Sequence, residues 1–201
     1  EARQVVEQSR SKIAALLNIN KDEVFFTSGA TESNNIAIQG LKEYAHKTGK
    51  EHIVTTNIEH KAILETCKAM AKNGFEVSYV NPRIDGRILF DEVKNLVRDD
   101  TLLVTVMHVN NETGIIQPVK EIGDYLADKE VYFHIDATQS FGKLVDELKE
   151  IKFDILLKKS KKLLTIQIQD DIIYKLSART TRNSTESVRS KRNLKINEKS
   201  C

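Results

Sequence analysis

The stretch that decides the fold reads Phe133-His134-Ile135-Asp136-Ala137-Thr138-Gln139-Ser140. It sets a carboxylate at the end of a short apolar run that has the length of a buried strand. Ligands of open α/β sheets bind beyond the carboxyl ends of the strands, so an acid at this point is placed for chemistry rather than for packing. Asp136 is therefore a candidate binding residue. The alternative is a turn or helix cap, which Asp often forms after a strand.

A second informative stretch combines a strand, a glycine turn and the start of a helix. It reads Phe25-Phe26-Thr27-Ser28-Gly29-Ala30-Thr31-Glu32-Ser33-Asn34-Asn35. Backbone N–H groups at a helix start can bind a phosphate, and a hydroxyl can join them, although an ordinary turn with a capping Thr has the same pattern. A carboxylate keeps a pyridine nitrogen protonated, so that the ring can accept electrons. The two stretches together indicate a phosphorylated, nitrogen-containing cofactor.

Apolar runs of strand length recur along the chain and alternate with helical patterns. They cover residues 24–27, 52–56, 75–80, 101–109 and 130–135. This alternation predicts an α/β fold with a mostly parallel sheet and helices on both faces. A further helix is predicted over residues 1–17, and it has no start signal, which favours a chain that begins inside a larger protein.

Three more polar residues follow predicted strands and are candidates for the same site. His60 precedes a helix, so its ring could stack on a planar cofactor and relay protons, or it could be structural. Asn111 belongs to a polar cluster with His108, Asn110 and Glu112, which either lines a site or builds a turn completed by Gly114. The Gln139 amide could reach the cofactor, or it could be a surface group.

The composition changes abruptly near Leu157. The formal net charge is +2, but residues 158–201 hold 12 Lys or Arg against 4 Asp or Glu, and all 8 Gly, both Pro and all 5 His lie before Lys158. We therefore divide the chain into a body, residues 1–157, and a basic tail, residues 158–201, that is expected to be poorly ordered. A strand is conceivable in the tail at residues 163–168.

Several classes of function are disfavoured by the residues that the sequence lacks. Cys67 and Cys201 provide no disulfide framework, and the sequence has neither a signal peptide nor an apolar run of spanning length, so a cytoplasmic protein is expected. Scattered His residues argue against zinc, and Ser28 lacks the second glycine of a nucleophile elbow. The tail lacks the aromatic residues that accompany nucleic-acid binding, and neither nucleic acid nor a membrane is expected as a partner.

Residues 1–157 resemble the cysteine desulfurases, the NifS/IscS-like group of enzymes with the class V aminotransferase fold. The resemblance covers five motifs in the same order: residues 27–35, Glu59-His60-Lys61-Ala62, Asp85-Gly86, His108-Val109-Asn110-Asn111-Glu112-Thr113-Gly114, and residues 134–140. It implies a partial large domain of the three-layer, fold-type-I class of transferases that depend on pyridoxal 5'-phosphate (PLP).

The resemblance also implies roles for individual residues. Ala30 and Thr31 would lie near the phosphate of PLP, and His60 would stack on the ring and take part in catalysis. Asp136 would hold the ring nitrogen, with Asn111 and Gln139 on the hydroxyl side. Members of the family are homodimers that take sulfur from L-cysteine as an enzyme persulfide, release L-alanine, and pass the sulfur to acceptor or scaffold proteins, as in iron–sulfur cluster assembly.

The sequence departs from the family pattern after Leu157. Position matching assigns Lys162 to the lysine that binds PLP covalently, but both serines and the histidine that precede it in the family are replaced. The loop with the nucleophilic cysteine does not occur, and neither Cys67 nor Cys201 matches it. We therefore expect an inactive fragment and hypothesise a frame change or truncation near Leu157. The alternatives are a selenocysteine lyase-like enzyme of the same fold or a non-catalytic remnant that pairs with a full-length homologue.

Overall fold

The structure is a computed structural model, and it describes residues 2–159 and 164–168. Strands and helices alternate along most of the chain, as the sequence predicts. In order they are α1 (Ala2–Leu17), a 3-10 turn (Lys21–Glu23), β1 (Val24–Thr27), α2 (Ala30–Gln39), α3 (Lys42–Thr48), β2 (His52–Thr56), α4 (Lys61–Ala71), β3 (Glu76–Val80), α5 (Phe90–Leu96), β4 (Thr101–Met107), α6 (Val119–Leu126), β5 (Tyr132–Asp136), α7 (Val145–Lys149), β6 (Ile155–Lys159) and β7 (Leu164–Ile168).

The seven described strands form one sheet in the order β1-β7-β6-β5-β4-β2-β3. The strands from β6 to β3 are parallel to their neighbours, whereas β7 is antiparallel to both β6 and β1. Because β7 is antiparallel to both of its neighbours, β1 runs in the same direction as the five parallel strands. The carboxyl ends of β1, β2, β4 and β5 therefore lie at one edge of the sheet, and the predicted mostly parallel sheet is confirmed.

The register of the strands divides the core into two layers. Ile53 pairs with Leu103, and these side chains pack with the buried residues of α2, α3 and α4. The next pair, Val54 and Val104, belongs to the other cluster, which contains the buried residues of α5, α6 and α7. Successive side chains of a strand point to opposite faces, so this alternation produces a three-layer arrangement with helices on both faces.

The strand β5 lies between β4 and β6, in the interior of the sheet. Phe133 and Ile135 are almost completely buried in the layer of α5, α6 and α7, and Asp136 ends the strand. The pairing of β5 on both sides fixes the backbone at Asp136, since Met107 of β4 and Leu157 of β6 lie opposite it.

The described sheet continues beyond residue 157, where the sequence analysis ends the body of the domain. The strand β7 lies within the segment that the sequence allowed as a strand, and it pairs with β6 and β1. Residues 160–163 and 169–201 lie outside the described residues, so the predicted division of the chain stays a prediction. In the described part, no helix has the length and apolar character needed to cross a membrane.

Replacement of Ile135 by Ala tests the central position of β5. Ile135 is fully buried, so Ile135→Ala should lower the free energy of unfolding in urea by about 2–5 kcal/mol, because it removes packed methyl groups and leaves a cavity. The same change at the fully exposed Ile84 is the matched control and should stay within about 0.5 kcal/mol of the wild type. Equal effects of the two substitutions would contradict the described core.

Candidate functional site

A cavity of about 310 Å³ lies at the sheet edge where the parallel strands end. Its volume is at the lower end of the range of small-molecule sites. The described residues that line it are Ala30, His60, Met107, Val109, Asn111, Asp136, Thr138 and Gln139. Five of the six residues that the sequence suggested for cofactor binding thus meet in one cavity. The sixth, Thr31, is exposed in the first turn of α2 and is not among the lining residues.

Asp136 supplies the acidic group of the cavity. Its side chain is 5% exposed, and Oδ1 accepts a hydrogen bond from the backbone N–H of Thr138 at 2.9 Å. This bond is the turn-forming contact that the sequence left open as the alternative role of Asp136, and it orients the carboxylate. This bond involves Oδ1 only, so Asp136 can form the turn through Oδ1 and contact a ligand through Oδ2 at the same time. The hydroxyl of Thr138 is buried and has no hydrogen-bond partner within the described structure.

The imidazole of His60 is oriented by the helix that follows it. His60 is the N-cap of α4, and its Nδ1 accepts a hydrogen bond from the backbone N–H of Ala62 at 3.1 Å. An Nδ1 that accepts leaves the ring proton on Nε2. The ring is exposed on the side of the cavity, where it can stack on a flat ligand.

The start of α2 forms the third wall of the cavity. Gly29 is the N-cap and has no side chain to satisfy the N–H groups of the first turn, so these groups are available to an anion. Ser28 donates to Glu32 Oε2 through both its backbone N–H and its hydroxyl, at 2.6 Å each. These bonds lower the pKa of Glu32 and fix the turn before the helix.

The polar cluster after β4 separates into residues with different tasks. Only Asn111 and the neighbouring Val109 line the cavity. The side chain of Asn110 is buried and takes part in five hydrogen bonds: its Nδ2 donates to the carbonyl of Ile58 and to Met107 Sδ, and its Oδ1 accepts three bonds from Glu112 and Thr113 in its own loop. His108 is buried beside Glu147 and lines a different cavity, of about 820 Å³. Gly114 completes the turn with a φ of +73°. The two roles that the sequence left open for this cluster both occur, in different residues.

Glu59 supports the site through Met107, a lining residue, and the sequence analysis did not assign it a role. It is 5% exposed, and Oε1 accepts hydrogen bonds from Thr56 Oγ1 at 2.8 Å and from the backbone N–H of Met107 at 2.9 Å. Burial raises the pKa of Glu59 to about 8. The signal available in the sequence was an acid three residues after a buried strand, next to His60. Met107 and Thr138, which line the cavity, were also not assigned.

A second buried titratable group, His134, lies two residues before Asp136 and on the same face of β5. His134 is fully buried, and its Nδ1 is 2.8 Å from Thr105 Oγ1 on β4. Burial lowers the pKa of His134 to about 4, so the ring is neutral near pH 7. The His134–Thr105 pair beneath Asp136 is therefore polar but uncharged.

The residues considered for covalent chemistry are Lys162, which the sequence matches to the PLP-binding lysine, and the two cysteines, neither of which matches the nucleophile. Lys162 lies outside the described residues, as does Cys201. Cys67 is fully buried in α4, and burial raises the pKa of its thiol to about 12. A buried thiol that stays protonated is a poor nucleophile, because the thiolate is the reactive form.

Residues 1–166 match the family described as aminotransferase class-V. The match covers most of the chain and includes every residue that lines the cavity. The chain therefore belongs to the aminotransferase class-V family.

Within that family the sequence resembles cysteine desulfurases. It is 48% identical over 163 residues to cysteine desulfurase IscS of Pasteurella multocida, which is 81% of this chain and 40% of that protein. The crystal structure of DndA from Streptomyces lividans superposes with a TM-score of 0.79 and 42% identity, over 84% of this chain and 48% of that one. SspA in complex with cysteine gives a TM-score of 0.75 at 38% identity, over 84% and 50%. The chain thus spans about 40% of the length of the curated relatives that it matches.

The two neighbouring asparagines after β4 allow a test of their different tasks. Asn110→Ala should lower the free energy of unfolding by about 2 kcal/mol or more, because the loop and the carbonyl of Ile58 lose their buried partner. Asn111→Ala removes an exposed amide from the cavity wall and should change the free energy of unfolding by less than about 0.5 kcal/mol. Urea unfolding of both variants measures the difference, and the reverse order would refute the assignment.

Proposed function

We propose that this chain binds pyridoxal 5'-phosphate in the cavity and forms the cofactor-binding part of a cysteine desulfurase. One observation carries the proposal. The buried carboxylate of Asp136, the exposed ring of His60 and the uncapped start of α2 at Ala30 converge on a single cavity. An acid for a ring nitrogen, a flat ring for stacking and N–H groups for a phosphate are the three contacts that a phosphorylated pyridine requires.

The donor and acceptor groups of the cavity fit such a ligand. The orphaned hydroxyl of Thr138 is a buried group that needs a partner, and it lies two residues from the carboxylate. Ala30 at the helix start allows a phosphate to approach the backbone closely, and Thr31 would add its hydroxyl. Asn111 and Gln139 offer amide N–H groups to the hydroxyl side of the ring.

When bound, PLP supplies an electron sink for a carbanion at the substrate amino acid. The residues of this chain prepare the site for that chemistry. Asp136 would hold a proton on the ring nitrogen, since an anion in a buried position favours the charged form of its partner. The imidazole of His60 would stack on the pyridine ring of PLP and would offer the proton on its Nε2 to a group on the substrate side.

The proposed substrate is L-cysteine, and the structurally similar SspA forms a complex with cysteine. The family reaction would produce L-alanine and an enzyme persulfide, whose sulfur passes to an acceptor or scaffold protein, and the working form would be a homodimer. In the described part of the chain the sole cysteine is Cys67, and its buried thiol is unsuited to receive that sulfur. We therefore assign cofactor binding to this chain and propose that it does not complete sulfur transfer by itself.

Titration of the full chain with PLP tests the role of Asp136. Asp136→Asn keeps the acceptor for Thr138 N–H but removes the charge, and it should weaken PLP binding about tenfold or more, because a charge-assisted hydrogen bond is lost. Asp128→Asn, at an exposed site after α6, is the matched control and should bind like the wild type. Absence of binding by the wild type, or equal affinity of Asp136→Asn, would overturn the proposal.

Borohydride reduction tests the assignment of the covalent anchor to Lys162. The PLP complex of the wild type should give a reduced, mass-shifted chain, and the shift should disappear in Lys162→Ala but persist in Lys161→Ala. Peptide mass spectrometry locates the adduct. An adduct that survives Lys162→Ala would show that other lysines react and that the position match is wrong.

A further inference from the structure

A buried carboxyl, that of Glu59, lies behind Met107 in the wall of the cavity and is not itself a lining residue. Glu59 follows β2, and its Oε1 joins two structural elements: it accepts from Thr56 at the end of β2 and from the N–H of Met107 at the end of β4. Met107 lines the cavity and lies opposite Asp136 in the β4–β5 register. Glu59 thereby connects the strand that leads to His60 with the strand beside Asp136.

The surroundings of Glu59 decide its charge. Its Oε2 is buried and has no hydrogen-bond partner, and no lysine, arginine or histidine forms an ion pair with it in the described ranges. The titratable groups that face it are Asp136 from β5 and Cys67 from α4, with His60 next to it in the chain. An unpaired buried anion beside a second carboxylate is unfavourable, and a proton on one oxygen removes the cost.

We propose that Glu59 is a positioning residue that holds Met107 in the wall of the cavity by bridging the ends of β2 and β4, and that it does so as a neutral carboxylic acid. As a neutral acid, Glu59 adds no second negative charge beside the carboxyl group of Asp136. This inference rests on the proposed PLP site for its functional meaning. The bridge and its proton are properties of the chain without cofactor and can be measured there.

The proton on Glu59 has a defined effect on stability. The folded pKa of about 8 lies above the ordinary value of 4.5, so between these values the folded chain holds one proton more than the unfolded chain. The contribution of Glu59 to stability is complete below about pH 4.5 and is lost as the pH rises towards 8. Within this window the unfolding equilibrium constant should rise about tenfold per pH unit from this group alone.

Urea unfolding of the full chain without cofactor, from pH 5 to 9, tests the neutral state. Glu59→Gln keeps the size and the Oε1 acceptor and cannot ionise, so the difference between wild type and variant isolates this group from His134 and the other titrating residues. The ratio of unfolding constants, wild type over Glu59→Gln, should rise with pH up to about 8 and then level off. Glu92→Gln, at an exposed site on α5, should leave the wild-type profile unchanged. A pH-independent ratio for Glu59→Gln would overturn the neutral acid.

Amide hydrogen exchange and PLP titration at pH 7 test the bridge. The Met107 amide should stay protected in Glu59→Gln and exchange at least tenfold faster in Glu59→Leu, which has no acceptor. PLP affinity should follow the same order, with Glu59→Gln within about threefold of wild type and Glu59→Leu weakened about tenfold, so that the conservative variant rescues the site. Unchanged Met107 protection in Glu59→Leu would overturn the bridge. A wild type that binds no PLP would refute the proposed function, while the unfolding and exchange measurements would still decide the role of Glu59.

Discussion

The site depends on one constraint, which is the parallel pairing of the strands that carry its residues. In the described sheet β2, β4 and β5 run in the same direction, and β1 joins them because β7 reverses the chain direction twice. Parallel pairing brings the carboxyl ends of these strands to one edge, so the residues that follow each strand become neighbours. Asp136 is buried there because β5 is paired on both sides, and the cavity opens where its strand stops.

Beneath the cavity lie buried polar side chains that form hydrogen bonds with the backbone and with one another. Asn110 holds the loop after β4 against Ile58, and Glu59 ties the end of β2 to Met107. His134 stays neutral against Thr105. Such bonds fix the positions of His60 and Asn111 without supplying further contacts to a ligand.

Family membership and the described site together define what this chain contributes. The match extends over residues 1–166, and the cavity residues lie entirely within it. The chain spans about 40% of the length of its curated relatives, so the activity of those proteins is a proposal for this one. Cys67 illustrates the difference: it lies within the matched region, yet its position in the interior of α4 makes it a packing residue.

The sequence by itself determined the α/β class, the strands β1 to β5 near their observed bounds, and five of the cavity residues, since strand-length apolar runs and the polar residues after them are local patterns. It did not mark β6 among these runs. It could not divide the cluster after β4, because side-chain direction depends on the turn: His108 faces another cavity, Asn110 anchors the loop, and only Asn111 reaches the site. Of the two residues that it suggested at the start of α2, Ala30 lines the cavity, whereas Thr31 is exposed and is not among the lining residues. The burial of Glu59, and with it the protonation of its carboxyl, was decided by tertiary structure alone, because its partner Met107 lies 48 residues away on another strand.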